Sequence, residues 1–191
     1  LDDFEHLIMQ QTEQLQKQNL MFAAQISALP ELLNSIHQKD KQQVQDNISQ
    51  LMGHIRKTSK SFQIQTQIYD TETEPFLSSW ASGTFSQTEH SKELIKKAEK
   101  ELHPIQGITI LSNSIGYTAA VPIFNQDKLF GAIEATHSFD SFYSSLKIKS
   151  GYGISLLLSR EYSRFLTSPD KFQTVGDFVI LRDLGTTGSN K

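Results

Sequence analysis

The stretch Gly116–Glu134, GYTAAVPIFNQDKLFGAIE, decides the fold class of this chain. Two apolar, β-prone segments flank the short polar turn Asn125–Lys128, and this pattern is typical of a β-hairpin. Strands that follow one another through short turns pair antiparallel. The stretch therefore predicts an antiparallel sheet rather than a parallel one.

Helix and strand patterns are segregated along the rest of the chain. Residues 2–28 contain no Gly or Pro and predict one long helix that ends before Pro30, and residues 32–57 predict two more helices that are separated at His37–Asp40. The predicted strands are 62–69, 76–80, 105–111, 115–124, 128–137, 154–158 and 178–181, with further helices at 89–102 and from 138 to about 148. This order predicts an α+β fold with a helical region at 1–60, a module with a central antiparallel sheet at 61–150, and strands with a loose tail at 151–191.

The composition excludes several classes of function. The net charge of −3 provides no basic field for nucleic acid. Cysteine is absent, which removes disulfides, thiolate catalysis and cysteine-based zinc sites. No apolar run reaches the roughly 18 residues of a membrane span, and no signal peptide is visible. The sequence begins inside a helical pattern, for which a preceding transmembrane helix is one interpretation.

An apolar residue recurs every seven positions along the first predicted helix, at Leu1, Ile8, Leu15, Phe22 and Leu29. One apolar position per heptad is half of a coiled-coil seam. Two compatible interpretations stay open. The stripe packs on the chain's own domain, as most apolar stripes do, or it forms the seam of a homodimer.

Catalytic motifs are missing from the sequence. No Gly-x-Ser-x-Gly, phosphate-binding glycine loop or His-Glu-x-x-His motif occurs. His54 has no histidine or acidic residue three or four positions away, and Asp40, three positions after His37, lies in the polar break between the two predicted helices, so neither histidine makes a credible metal pair. We therefore expect a binding domain that is not an enzyme and holds neither a cofactor nor a metal.

Several short motifs follow one another in a definite order. They are Ile68-Tyr69-Asp70, Phe76–Trp80, Gly107, Gly116, Val121-Pro122-Ile123-Phe124 and Gly131-Ala132-Ile133-Glu134. In this order and spacing, the segment from Phe62 to about Leu158 resembles the membrane-distal module of Cache-type sensory domains, whose core is PAS-like. The long N-terminal helix is similar to the helix that rises from the first membrane span in that family.

The resemblance implies an extracytoplasmic sensor on the periplasmic face of a bacterial inner-membrane receptor. It implies that a small molecule binds and biases membrane helices outside this sequence, in a methyl-accepting chemotaxis protein as the first reading. A sensor histidine kinase or a diguanylate cyclase is the alternative output, and a ligand-free structural dimerisation module is the rival class. A cytosolic PAS-like domain with a cofactor is disfavoured by the long N-terminal helix.

The sequence departs from the family pattern at two places near the expected site. Ser78 stands where the pattern has arginine, and residues 82–87 replace a Gly-Asp-Asp loop. No family ligand is therefore carried over. The segments Gly151–Leu158 and Val175–Ile180 resemble the opening of a second module, and whether this module is completed or the chain is a single-module variant stays open.

The predicted ligand site lies between the sheet and the loop at 80–88. Its candidate residues are Tyr69, Trp80, Phe85, Lys92, Tyr117, Glu134 and Thr136. Trp80 is either a core residue or an aromatic wall of the site. Glu134 is expected to share its strand face with Phe130, Ala132 and Thr136, and its carboxylate is either paired within the sheet or offered to a ligand.

Arginine is absent between Arg56 and Arg160, which includes the whole of the expected site. Arginine is the side chain that holds carboxylates with two parallel hydrogen bonds. Lys92 and backbone N–H groups remain as weaker substitutes. We therefore expect a neutral or cationic ligand, or a small one held by backbone groups and aromatic rings, rather than an amino acid or a dicarboxylate.

Overall fold

The computed structural model describes residues 2–38, 40–58, 64–72, 75–78, 89–111, 114–139, 142–143, 154–166 and 168–184. Within these ranges the helices are Asp2–Ser27 (α1), Pro30–His37 (α2), Lys41–Thr58 (α3) and Glu89–Glu101 (α4). The strands are Ile64–Asp70 (β1), Pro75–Ser78 (β2), Ile105–Ile110 (β3), Ile115–Asn125 (β4), Lys128–Ser138 (β5), Ile154–Ser159 (β6), Thr174–Val175 (β7) and Phe178–Leu184 (β8), with 3-10 helices at Arg160–Phe165 and Pro169–Lys171. The predicted α+β class is confirmed, while most of the helix expected after residue 138 lies outside the described residues.

The helix boundaries follow from local sequence chemistry. α1 contains no helix breaker over its 26 residues. Leu29 is extended, with φ −69° and ψ 120°, because the residue before a proline avoids the helical region. Pro30 therefore ends the helical run and also opens α2, since a proline at the first helical position loses no hydrogen bond.

A five-stranded antiparallel sheet forms the centre of the fold, in the strand order β2-β1-β5-β4-β3. The predicted β4–β5 hairpin is confirmed, and Gln126 turns the chain with φ 56°. β1 pairs with β5, although more than fifty residues separate them in sequence. β5 is therefore the central strand, with β1 on one side and β4 on the other.

Helices α1, α2 and α3 cover one face of this sheet. Their buried apolar residues and those of the sheet form one core: Phe22, Ala23, Ile26, Leu32, Ile36, Val44, Ile48, Met52, Ile64, Ile68, Ala119, Val121, Ile123, Ile133 and Ala135. The sheet residues of this core alternate along each strand, as expected for side chains that leave a strand on alternate faces. The residues between them on each strand therefore point to the opposite face of the sheet.

A second, three-stranded antiparallel sheet has the order β6-β8-β7. Its residues Leu156, Leu158 and Val179 belong to a separate core with Phe139, Phe142 and the N-terminal half of α1. α1 therefore contributes to the cores of both sheets.

The seven-residue stripe of α1 packs on the chain's own domain. Phe22 and Leu29 belong to the core of the central sheet, while Ile8 and Leu15 belong to the second core. Packing of the stripe on the chain's own domain is therefore confirmed for these residues, of which Phe22 is buried and Ile8, Leu15 and Leu29 are partly buried, while the dimer seam stays a prediction. Leu1 lies outside the described residues. None of the helices in the described ranges is both long and apolar enough to cross a membrane.

Candidate functional site

Glu134 and Thr136 lie on the central strand β5 and share one face of the sheet. Glu134 pairs with Gln67 on β1 and with Ala120 on β4. Since alternate residues point to the same side of a strand, this face also carries Tyr69 of β1 and the threonines Thr118 of β4 and Thr109 of β3. It is the face opposite to α1, α2 and α3.

A continuous row of hydrogen bonds crosses this face. The Tyr69 hydroxyl donates to Glu134 Oε2 at 2.5 Å, and the Thr136 hydroxyl donates to Glu134 Oε1 at 3.2 Å. The Thr136 and Thr118 hydroxyl oxygens are 2.7 Å apart, and those of Thr118 and Thr109 are 2.5 Å apart. We call Tyr69, Glu134, Thr136, Thr118 and Thr109 the polar row. All five side chains are buried.

The carboxylate of Glu134 is in an unfavourable environment for a charge. Burial raises the pKa of Glu134 above its ordinary value of 4.5, and the hydrogen bonds from Tyr69 and Thr136 only partly offset this effect. Within the described part of the chain, no cationic side chain forms an ion pair with Glu134. A buried carboxyl group is either protonated and neutral or, when ionised, usually paired with a cation, and Glu134 has hydrogen bonds to both oxygens but no cationic partner among the described residues.

Two glutamines add further acceptor atoms to the same face. Gln67 is buried and pairs with Glu134 across the β1–β5 ladder, while Gln65 pairs with Thr136. The Gln65 Oε1 atom is buried without a hydrogen-bond partner among the described residues. A buried acceptor without a partner costs about 1–3 kcal/mol, which is a cost that a ligand could remove.

Helix α4 covers part of the polar face. Its residues Ile95 and Ala98 pack with Tyr69, Ala120 and Ala132 in a small apolar core. A Cβ atom added at Gly107 would lie 3.1 Å from the Leu94 side chain, so the glycine lets the helix approach the sheet closely. Lys92 is half-buried on this helix, directly after the buried Ser91.

Tyr117 lies on the other face of the sheet. Its hydroxyl donates to Thr12 Oγ1 of α1 at 3.2 Å, its backbone carbonyl accepts from Asn19 Nδ2 at 2.8 Å, and its ring lies 4.6 Å from that of Phe139. His137 of β5 shares this face, and burial lowers the pKa of its imidazole below 6.5. The structure therefore separates Tyr117 from the other predicted site residues.

The expectation that Phe130 shares the face of Glu134 is wrong. β5 carries an extra residue at this point, because Ile123 pairs with Gly131 whereas Phe124 pairs with Leu129. Such a bulge moves the side chain to the other face, and Phe130 packs against the helix-side core. Trp80 and Phe85, the predicted aromatic members of the site, lie outside the described residues.

A separate cleft of about 490 Å³ opens beside the β4–β5 turn. It is lined by Ile36 and Lys41 of the helices, by residues 68–72 at the end of β1, and by residues 128–130 of β5. The cleft is lined by two basic residues, Lys41 and Lys128, and two acidic residues, Asp70 and Glu72. Its lining therefore favours neither a cationic nor an anionic ligand. We take the polar row rather than this cleft as the candidate site because three of the predicted site residues, Tyr69, Glu134 and Thr136, meet there.

The missed members of the site are Thr109, Thr118 and Gln65. A signal for them exists in the sequence, because aligning β3, β4 and β5 as antiparallel neighbours places the three threonines on adjacent strands. No group of three or more His, Cys, Asp or Glu side chains in the described ranges is arranged to hold a metal ion.

Comparison with known proteins gives one family. Residues 1–176 match the family described as the double sensory domain of two-component sensor kinases. No curated protein matches the chain.

Two solved structures have a similar fold. The sensor domain of the Vibrio cholerae histidine kinase DctB has a TM-score of 0.57 at 15% identity, over 93% of this chain and 68% of that one. The extracellular domain of vpHK1S-Z8, a protein assigned as a histidine kinase, has a TM-score of 0.51 at 12% identity, over 89% of this chain and 75% of that one. At these identities the similarity concerns the fold.

Proposed function

The chain belongs to the family of double sensory domains of two-component sensor kinases, and from that premise we propose that it binds a small molecule at the polar row and does no chemistry. The ligand would lie against the polar face of the sheet beside α4, and the loop at 80–88 that the sequence predicts as the other wall lies outside the described residues. Tyr69, Glu134 and Thr136 are the predicted site residues that support this location, because they meet in one hydrogen-bonded group. Lys92, Trp80 and Phe85 stay predicted members.

The buried carboxylate of Glu134 carries this proposal. A purely structural sheet face would be more stable with apolar residues, because a buried ionisable group without a charged partner is costly. Groups that destabilise a fold persist where they serve binding. We therefore favour a ligand-binding domain over a ligand-free structural module, because a purely structural module would not need a buried carboxyl group in the polar row.

The kind of signalling domain that this sensor controls is proposed from the family and not from the structure of this domain. Its description names two-component sensor kinases, so we propose a histidine kinase as the output and keep a chemoreceptor or a diguanylate cyclase as alternatives. In each case the domain would face the periplasm or the cell exterior.

A thermal-shift screen of small metabolites tests the proposed function. A ligand present at about 100 times its dissociation constant stabilises the folded state by about 2.7 kcal/mol, which corresponds to a rise of about 5–10 °C for a domain of this size. The Tyr69→Phe variant should lose most of that rise. A screen without any stabilising compound would favour the structural module, and a hit that Tyr69→Phe leaves unchanged would place the site elsewhere.

Strand β4 connects the polar row to α1. Thr118 belongs to the polar row, and the adjacent Tyr117 holds Thr12 and Asn19 of α1 from the opposite face. A third contact, from Gln106 Nε2 of β3 to the Gln16 carbonyl oxygen at 2.8 Å, lies between them along the helix. We propose that a ligand-induced shift of β4 reaches α1 through these contacts.

Removal of the Tyr117 hydroxyl is expected to weaken this coupling without affecting ligand binding. One neutral hydrogen bond is worth about 0.5–1.5 kcal/mol. Tyr117→Phe should therefore reduce the ligand-induced slowing of amide hydrogen exchange in residues 12–19 by about 2- to 10-fold. Tyr162→Phe, at an exposed tyrosine of the first 3-10 helix, is the matched control. Equal slowing in Tyr117→Phe and wild type would contradict the proposed route.

The homodimer through the N-terminal helix stays a prediction, but its contact residues change. Phe22 is buried and Ile8 and Leu15 are partly buried against the second core, so we propose that a second copy uses the exposed side of α1, where Met9 and Met21 are the large exposed apolar residues. We expect Met9→Asp/Met21→Asp to sediment as a monomer at concentrations at which the wild type dimerises, with an unchanged circular dichroism spectrum. Dimerisation that survives this double substitution would move the interface elsewhere.

A further inference from the structure

We propose that the ligand presents an N–H-bearing cation, such as a protonated amine or a guanidinium, to Glu134. This inference rests on the proposed function and names the chemical class of the ligand at the same site. It narrows the ligand to one that carries both positive charge and hydrogen-bond donors.

The first argument is the uncompensated carboxylate. Glu134 is 6% exposed and accepts one hydrogen bond at each oxygen, from Tyr69 and from Thr136. An ionised carboxylate has about four acceptor positions, so each oxygen keeps an acceptor position that these two hydrogen bonds leave unused. No ion pair to Glu134 comes from the described residues.

The second argument is the direction of the protons along the polar row. Thr136 uses its single hydroxyl proton to bond Glu134, so the proton between Thr136 and Thr118 must come from Thr118. By the same reasoning, the proton between Thr118 and Thr109 comes from Thr109. Each hydroxyl dipole then has its positive end toward Glu134, and the row supports a negative charge on the carboxylate. A cation is the ligand group that such an arrangement complements.

The third argument is the shortage of donors. Gln65 Oε1 is a buried acceptor without a partner among the described residues, and it lies on the strand pair that carries Glu134 and Thr136. Acceptors of this kind require N–H or O–H donors. A quaternary ammonium ion has charge but no donor and would leave Gln65 unsatisfied. A primary amine or a guanidinium supplies both.

The charged groups around Glu134 do not remove the need for a cationic ligand that carries hydrogen-bond donors. On β1, the titratable group that faces Glu134 is Tyr69. Strands β3 and β4 contribute only uncharged residues to this face of the sheet. Helix α4 carries two half-buried charges of opposite sign, Lys92 and Glu99. No arginine occurs between Arg56 and Arg160 to hold a carboxylate ligand. Because burial raises the pKa of Glu134, a bound cation would lower it again and displace a proton.

Isothermal titration calorimetry with matched probe series tests the class of ligand. The probes are straight alkyl chains of increasing length that end in amine, guanidine, trimethylammonium, alcohol or carboxylate groups. We expect the best amine or guanidine to bind at least about 30-fold more tightly than its alcohol, carboxylate and trimethylammonium counterparts. Binding should release protons when compared in two buffers of different ionisation enthalpy, and affinity should fall as the pH is lowered.

Two variants complete the test. Glu134→Gln should weaken amine binding by at least about 30-fold, whereas Glu93→Gln, which removes an exposed acid of α4, should leave it unchanged. Tightest binding by alcohols or carboxylates that Tyr69→Phe abolishes would overturn the cationic ligand and leave the proposed function intact. Tight amine binding that Glu134→Gln does not weaken would overturn the assignment to Glu134. Absence of binding by every series would overturn the cationic ligand, and the thermal-shift screen decides separately whether the proposed function stands.

Discussion

Replacement of Gly131 by alanine is expected to lower the free energy of unfolding by about 2–5 kcal/mol, through backbone strain and lost strand pairing. Gly131 has φ 146°, a conformation that favours glycine, and a Cβ atom there would lie 2.0 Å from the carbonyl oxygen of Tyr69. The backbone of β1 or β5 must therefore move. The movement would begin beside Tyr69, so the polar row should be disturbed as well.

Urea denaturation of the two proteins measures this loss. Gly176→Ala is the matched control, because Gly176 also has a positive φ of 58° but a Cβ atom there would have no neighbour within 4 Å. Its cost should be limited to the strain of a left-handed residue, about 1–2 kcal/mol. Equal losses in both variants would mean that the bulge in β5 tolerates a side chain, against the close approach described here.

The Glu134→Gln variant is expected to be more stable than the wild type at neutral and alkaline pH without ligand. Burial raises the pKa of Glu134 in the folded state, so the folded protein holds this proton more tightly than the unfolded chain. Stability is then lost as pH rises from about 4.5 through the folded pKa. Glutamine cannot ionise, and removing the uncompensated charge should gain about 1–3 kcal/mol at high pH.

The gain should disappear near pH 4, where the carboxyl group is protonated in both states, and urea denaturation across the pH range measures it. Burial lowers the pKa of His137, which acts in the opposite sense, because stability is lost as pH falls below the ordinary value of 6.5. This contribution is present in both proteins and cancels in their difference. A wild type that is the more stable protein at high pH would mean that the fold stabilises the Glu134 carboxylate without a ligand.

Local sequence signals were sufficient for the elements of the central sheet. The Asn125–Lys128 turn predicted the hairpin, and the absence of breakers before Pro30 predicted α1. The neighbour of β5 on its other side could not be predicted in this way. β1 is distant in sequence, and its pairing with β5 depends on the burial of both sheet faces rather than on a turn.

The site was predictable where alternation along a strand is regular. Glu134, Thr136 and Tyr69 were named from strand positions, and they meet. Tyr117 and Phe130 were misplaced for two different reasons. Assigning Tyr117 to a face requires the register between β4 and β5, since one residue along a strand reverses the face. Phe130 sits at a bulge that breaks the alternation, and no turn or composition signal marks it.

Methyl NMR spectroscopy of the domain tests the location of the ligand site most directly. The compound that gives the largest stabilisation in the thermal-shift screen would be titrated into protein with labelled Thr, Ile and Leu methyl groups. The account predicts that the largest shifts occur at Thr109, Thr118 and Thr136 of the polar row. Shifts confined to Ile36 and Leu129, which line the cleft beside the β4–β5 turn, would contradict it.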